Sequence, residues 1–356
     1  MELMTMVLNS TERAGQPAET QTFSQEKKLR QRLKRVPKCW IDPLGRCRGG
    51  VEADGGGPLR AWIVPGRDGT LERVRASDQT LGTKLLLNEF EALQAVQHEN
   101  VVALRWAGRW SDSLAVATSW REIDRGEPPP HPLPWLLSRM AEATRGVAAI
   151  HRAGLVHGDL KPATILMGAS WTLVTDLKGA APPGRRQRSL FTPRFAAPEQ
   201  VLGERVGPAA DLYALGMTFY MLFIKDRFPL ILRGAETAAA ESEPAGEDEM
   251  PLLSAATTFE PWPVPEGRQP SASQKPVFTS AGGPDFLIGV KVRFRSQLSR
   301  VLVRAQHAGW VGEILRLVRT ATQLEPSERF RTCEEFEGAI NSLLKRLPEE
   351  VPTNRR

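Results

Sequence analysis

Three cysteines in 356 residues, Cys39, Cys47 and Cys333, are too few and too scattered for a disulfide framework. Cys39 and Cys47 lie eight apart with no histidine nearby, which argues against a zinc site. No run reaches the roughly 18 apolar residues that span a bilayer. The best candidate, Leu215 to Ile224, is short and interrupted by Thr218 and Tyr220. The opening MELMTMVLNSTERAG lacks the early positive charge and long apolar run of a secretory signal. A soluble protein without a membrane span, in a reducing cytoplasm, is therefore expected. Charge of one sign is also scarce. Lys and Arg number 47 against 41 Asp and Glu, and the resulting +6 is too small to force a nucleic-acid reading. No internal repeat is visible.

What is present is ordinary globular material, 41% hydrophobic and 25% charged, with length for about two domains of about 150 residues. Residues 1–36 read as a polar, disordered tail, and the basic run EKKLRQRLKRVPK across its end suits a short solvated helix leading into the first strand better than a nucleic-acid or acidic-membrane contact. From 37 to 126 the pattern is mostly strand. PLRAWIVPGRDGTLERVRAS reads as a hairpin around Pro65-Gly66-Arg67-Asp68-Gly69. LLLNEFEALQAVQ reads as a helix, and NVVALRWAGRW and SLAVATSW as two further strands. EIDRGEPPPHP is a linker. From 127 to 346 helices dominate, with Leu136, Met140, Val147 and Ile150 forming one stripe. Residues 234–285 interrupt this part with eight prolines and the acids Glu241, Glu243, Glu247, Asp248 and Glu249, the composition of a disordered or weakly ordered insertion. Residues 347–356 form a tail.

The densest polar constellation is LVHGDLKPATILMGASWTLVTDLKGA, residues 155–180. Asp159 and Lys161 are near neighbours, and Asp176 follows after two apolar triplets that suit a hairpin. Such a hairpin returns Asp176 to Asp159. Two carboxylates and an ammonium gathered in this way suit phosphoryl transfer, with one carboxylate near the attacking hydroxyl, one on a metal, and the cation on the migrating phosphate. Taken singly, these residue types are more often solvated than catalytic; order and spacing lift the functional reading.

HGDLKPATIL resembles the catalytic loop HRDLKPxNIL of the eukaryotic-type Ser/Thr protein kinases. TDLKGA resembles their metal-binding DFG segment, and FTPRFAAPEQ their GTPxYxAPE. DLYALGMTFYMLF resembles their apolar D-x-W/Y-x-LG helix, and LEPSERFRTCEEF their LxxDPxxRxT. The chain is identified on these five ordered motifs as a divergent member of that family. The resemblance implies an α+β, bilobal fold: a small β-rich N-lobe with one helix and a larger helical C-lobe. It implies ATP and Mg as cofactors and a protein substrate or partner. Asp159 would accept the substrate proton, Lys161 would steady the phosphoryl group, and Asp176 would hold the metal. Glu199 would pair with Arg329, and Asp211 would anchor the catalytic loop. Upstream, EFEALQAVQHENVVAL places Glu89 at the ion-pairing glutamate, and TLERV places Arg73 at the phosphate-gripping lysine. PLGRCRGGV, with Gly45 and Gly49, occupies the place of the glycine-rich loop. Arg60 and Arg75 remain other candidates for the basic residue.

Four departures from the family pattern bear on function. Gly158 replaces the HRD arginine, removing the usual receptor of a phosphorylated activation loop. Thr164 replaces the metal-binding asparagine with a shorter, poorer ligand. Lys178 replaces the DFG glycine and sets an ammonium close to the metal position, opposing the metal or partly replacing it. Arg73 replaces lysine with a planar fork. The retained trio favours an atypical or attenuated Ser/Thr kinase; the departures favour a pseudokinase that binds nucleotide or scaffolds a partner. The enzyme reading is placed slightly ahead, and a small-molecule kinase of the same fold behind both. GRRQRSLFT offers Ser189 and Thr192 as phosphorylation sites beside Arg185, Arg186 and Arg188, set against the simpler reading of a solvated basic loop. His98 and His157 read as structural hydrogen-bonders.

Overall fold

A computed structural model of the chain describes residues 31, 32, 34, 36, 51–54, 58–66, 68–110, 113–121, 133–186, 190–239, parts of 288–299, and 309–347. Gly45, Gly49, Cys39, Cys47, Ser189, the linker 122–132 and the insertion beyond 239 lie outside the described residues. The chain packs as two compact units. One holds residues up to Phe90 together with Leu104–Trp120; the other holds Glu91–Ala103 and Arg121 onward.

The first unit is a five-stranded antiparallel sheet of β1 (Val51–Asp54), β2 (Arg60–Pro65), β3 (Leu71–Ser77), β4 (Leu104–Trp110) and β5 (Ser113–Trp120), in the order β1-β2-β3-β5-β4. Helix α1 (Thr80–Ala95) follows β3. Strand alternation splits the buried residues between two faces. Trp62, Val64, Val74, Ala76, Ala115 and Ala117 cluster on one. Leu114 and Val116 on the other meet Leu86, Leu87 and Phe90 of α1. The β2–β3 hairpin turns at Gly66, as the sequence predicts, with Gly66 N–H donating to the Thr70 carbonyl at 2.6 Å. Two expectations are corrected. Val36, assigned to the tail, is buried, because its apolar side chain joins the cluster of Leu59, Leu86, Leu87, Phe90, Leu114 and Val116 and its carbonyl accepts from Arg109. Residues 91–103, assigned to the small lobe, pack with the larger unit: Val102 N–H donates to the Val174 carbonyl, and Val174 N–H to that of Asn100.

The second unit contains α2 (Leu133–Arg152), the hairpin β6 (Ile165–Met167) with β7 (Thr172–Val174), and the short pair β8 (Arg185–Arg186) with β9 (Arg205–Val206). Its other helices include α3 (Pro198–Val201), α4 (Pro208–Ala239), α5 (Trp310–Ala321) and α6 (Cys333–Arg346), and described residues between 288 and 299 are helical too. Helix α4 runs through residues 234–239, which the sequence reading placed in the insertion. Gly146 on α2 is needed for close approach, since a Cβ there would lie 2.5 Å from the Asn100 carbonyl oxygen. That approach holds the 98–102 segment beside β7. The α+β class is the one expected, with strands in the first unit and mostly helices in the second.

Candidate functional site

The turn after α2 carries His157, Gly158, Asp159 and Lys161, and Asp211 holds it from α4. The Asp211 carboxylate accepts from the backbone N–H groups of His157 and Gly158 and from His151 Nε2, each at 2.8 Å. Burial pushes this carboxyl upward, but the His151 hydrogen bond, the two imidazoles and the Gly158 N–H outweigh it and hold it below the ordinary carboxylate range. A fully buried anion thus orients the loop, as the resemblance implied. Gly158 sits at φ +77°, a left-handed conformation that glycine adopts without strain. Its carbonyl accepts from Gln200 Nε2 at 2.8 Å.

The Asp159 side chain is clamped on both oxygens. Oδ1 accepts from the backbone N–H of Thr192 at 2.7 Å and its hydroxyl at 2.8 Å. Oδ2 accepts from Lys161 Nζ at 2.8 Å, and the same ammonium donates to Thr192 Oγ1 at 2.7 Å. Asp159, Lys161 and Thr192 therefore form one charge-assisted network. Sequence reasoning treated Thr192 as a modification candidate. The structure turns its hydroxyl inward, where a phosphate would face the Asp159 carboxylate. The signal was its place in FTPRFAAPEQ. Arg185 and Arg186 are exposed, as a solvated basic strand would be.

Asp176 reaches this loop through its neighbour. Thr175 N–H donates to the Thr164 carbonyl at 2.9 Å, and the Thr175 carbonyl accepts from His157 Nε2 at 2.9 Å. The predicted hairpin forms as β6–β7 and delivers this connection. Asp176 itself has φ +70°, uncommon for a residue with a Cβ and a mark of a functionally constrained position.

The family's magnesium ligands correspond to Asp176 and Thr164, and these residues do not fit the two-metal arrangement. Lys178 Nζ lies 2.6 Å from Asp176 Oδ2, so the carboxylate is already paired with a cation. Thr164 is buried, and its hydroxyl accepts from the Lys161 N–H at 3.0 Å while facing the Asp159 and Lys161 carbonyls at 3.2 and 3.1 Å. That hydroxyl is spent on shaping the backbone turn.

In the first unit the partner of Glu89 is corrected. Strand β3 presents Arg73, Arg75 and Ser77 on the face shared with Val116 and Leu114, and it is Arg75 whose guanidinium pairs with the Glu89 carboxylate. Both side chains are almost wholly buried. Arg73, two residues away on the same face, lies over the Trp120 ring at 5.8 Å instead. The sequence alignment slipped by one full strand period, which leaves the facing direction unchanged.

The FTPRFAAPEQ segment is anchored twice. Glu199 receives Arg329 bidentately at 2.7 and 2.8 Å, as expected, and both are buried. Lys291 donates to the Pro193 carbonyl at 3.2 Å, with its ammonium 5.2 Å from the Tyr213 ring centre. Burial lowers the Lys291 amine to about 8. Nothing in the local sequence announced this lysine.

Residues 70–247, half of the chain, match the family model for the protein kinase domain. Among curated proteins, the chain is 41% identical over 90 residues to serine/threonine-protein kinases drp72 of Corynebacterium efficiens, covering 24% of this chain and 17% of that protein. It is 34% identical over 109 residues to serine/threonine-protein kinase PknA of Mycobacterium tuberculosis, covering 29% and 25%. It is 27% identical over 157 residues to serine/threonine-protein kinase pkn2 of Myxococcus xanthus, covering 40% and 19%. The matched stretches thus span a quarter or less of each of these relatives. The motif order, the Asp211-held loop and the match over half its length make this chain a member of the protein kinase domain family.

Proposed function

We propose that the chain transfers the γ-phosphate of ATP to Ser or Thr hydroxyls of a protein, as an atypical and attenuated kinase. The observation that carries this reading is the Asp159–Lys161–Thr192 network. A carboxylate fixed by an N–H and an O–H on one oxygen and an ammonium on the other is preorganised, and its remaining lone pairs can take a proton. In the reaction, the acceptor oxygen bonds to the γ-phosphorus while the bond to the ADP oxygen breaks. The hydroxyl proton passes to Asp159, and the Lys161 ammonium opposes the charge on the migrating group. Protein kinases generally use ATP with magnesium; with Thr164 and Lys178 as they stand, no step is assigned to a metal here. A protein acceptor and a cytoplasmic setting belong to the same reading; the relatives' names, serine/threonine-protein kinases, support the protein acceptor.

A second reading, a pseudokinase that holds a partner, is favoured by one observation: the Lys178 ammonium sits on the carboxylate that would take the metal. Radiolabel transfer from ATP into the protein itself and a generic acceptor, beside Asp159→Ala, tests the choice. General-base contributions of about 100-fold or more predict a wild-type signal well above that of the variant. Equal background from both would leave only the binding role.

A further inference from the structure

We infer that Lys178 is the protein's own counter-cation for the nucleotide phosphates, so that a nucleoside triphosphate binds without magnesium. The inference rests on the nucleotide-binding part of the reading above. Three features of the larger unit carry it. The first is the Lys178–Asp176 pair at 2.6 Å, with side chains 18% and 15% exposed: open enough for a ligand, yet withdrawn enough that the charges are weakly screened. The second is backbone shape. Asp176 at φ +70° leads directly into the 3-10 turn Leu177–Gly179, which folds Lys178 back over the carboxylate two residues before it. The third is Thr164, whose hydroxyl is committed to the catalytic-loop backbone and is buried.

The charge balance follows. A carboxylate with an ammonium on it is close to neutral and attracts a dication far less than a bare carboxylate does. Magnesium demands near-ideal octahedral oxygen ligation and gives up its waters reluctantly, so a site with one neutralised carboxylate and no second side-chain ligand among the described residues holds it poorly. An ammonium, by contrast, is a compact charge with three donors, suited to phosphate oxygens. Asp176 then acts as the orienting partner of Lys178.

Calorimetric titration of the full chain with ATP, in EDTA and separately in excess magnesium chloride, tests this, alongside Lys178→Gln. Wild type is expected to bind with dissociation constants within about 3-fold in the two buffers. A lost charge-assisted phosphate contact predicts that Lys178→Gln binds about 10-fold or more weakly in EDTA. Magnesium should recover most of that loss, because Asp176 then no longer carries the Lys178 ammonium. Wild-type binding that weakens about 10-fold or more in EDTA overturns the inference and leaves the phosphotransfer reading standing. Unchanged binding by Lys178→Gln in EDTA also overturns it, and the wild-type comparison needs no variant to fold. Absence of ATP binding in both buffers overturns the inference and the nucleotide part of the reading together.

Discussion

Replacing Arg329 by alanine should destabilise the larger unit more than any exposed change of equal size. All five guanidinium donors have acceptors: both Glu199 oxygens at 2.7 and 2.8 Å, and the carbonyls of Gln323, Ala209 and Leu324 at 2.7, 2.8 and 2.8 Å. The Arg329 side chain is 0% exposed and that of Glu199 7%. Removing one member of a buried pair strands the other, at a cost of about 3–5 kcal/mol. At about 2–4 °C per kcal/mol for a unit of this size, the expected fall in melting temperature is about 10 °C. Glu199→Ala should cost less, because the guanidinium keeps three carbonyls. The double variant Arg329→Ala with Glu199→Ala leaves no stranded charge and should cost at least about 1 kcal/mol less than the sum of those two singles. Urea unfolding of the four proteins measures this. Singles that add within about 0.5 kcal/mol would refute the coupling, and an Arg329→Ala loss below about 1 kcal/mol would refute the buried-pair argument itself.

Two further outcomes are expected. Thr192→Val removes a hydroxyl that links Asp159 and Lys161 but spares the backbone N–H; at about 1.5–3 kcal/mol for a hydrogen bond to a charged group, kcat/KM should fall by about 10-fold to 150-fold, while Thr192→Ser stays within about 3-fold. Lys291 supplies a pH dependence. Between pH 8 and 10.5 the unfolded chain keeps this proton and the folded one releases it, so stability should rise with pH through that window, by about 3 kcal/mol. Below pH 8 the full cost of burying the charge is present in the folded state. Pairwise urea unfolding against Lys291→Met reads the slope, which the variant should lack.

The sequence by itself determined the order of the chemistry. Asp159 and Lys161 lie within one loop and Asp176 follows one short hairpin, so local spacing and turn residues set the path between them without help from distant chain. The Glu199–Arg329 pair and the Asp211 anchor were legible through the resemblance to the kinase family, whose motifs these residues occupy. Only the tertiary structure decided which arginine meets Glu89. Arg73 and Arg75 share a strand face, so periodicity cannot separate them; the register of β3 against β5 and the placement of α1 do. The same holds for the contact of Thr192 with Lys161 across 31 positions, which its place in a motif marked without specifying, and for that of Lys291 with the Pro193 carbonyl across 98, which no local pattern marked. Whether Lys178 opposes a metal or occupies its place was open from residue types alone. What the tertiary structure decided is that Lys178 pairs with Asp176, through a backbone angle at Asp176 and the short turn after it, because a side chain two residues away meets its neighbour only when the chain between them bends back.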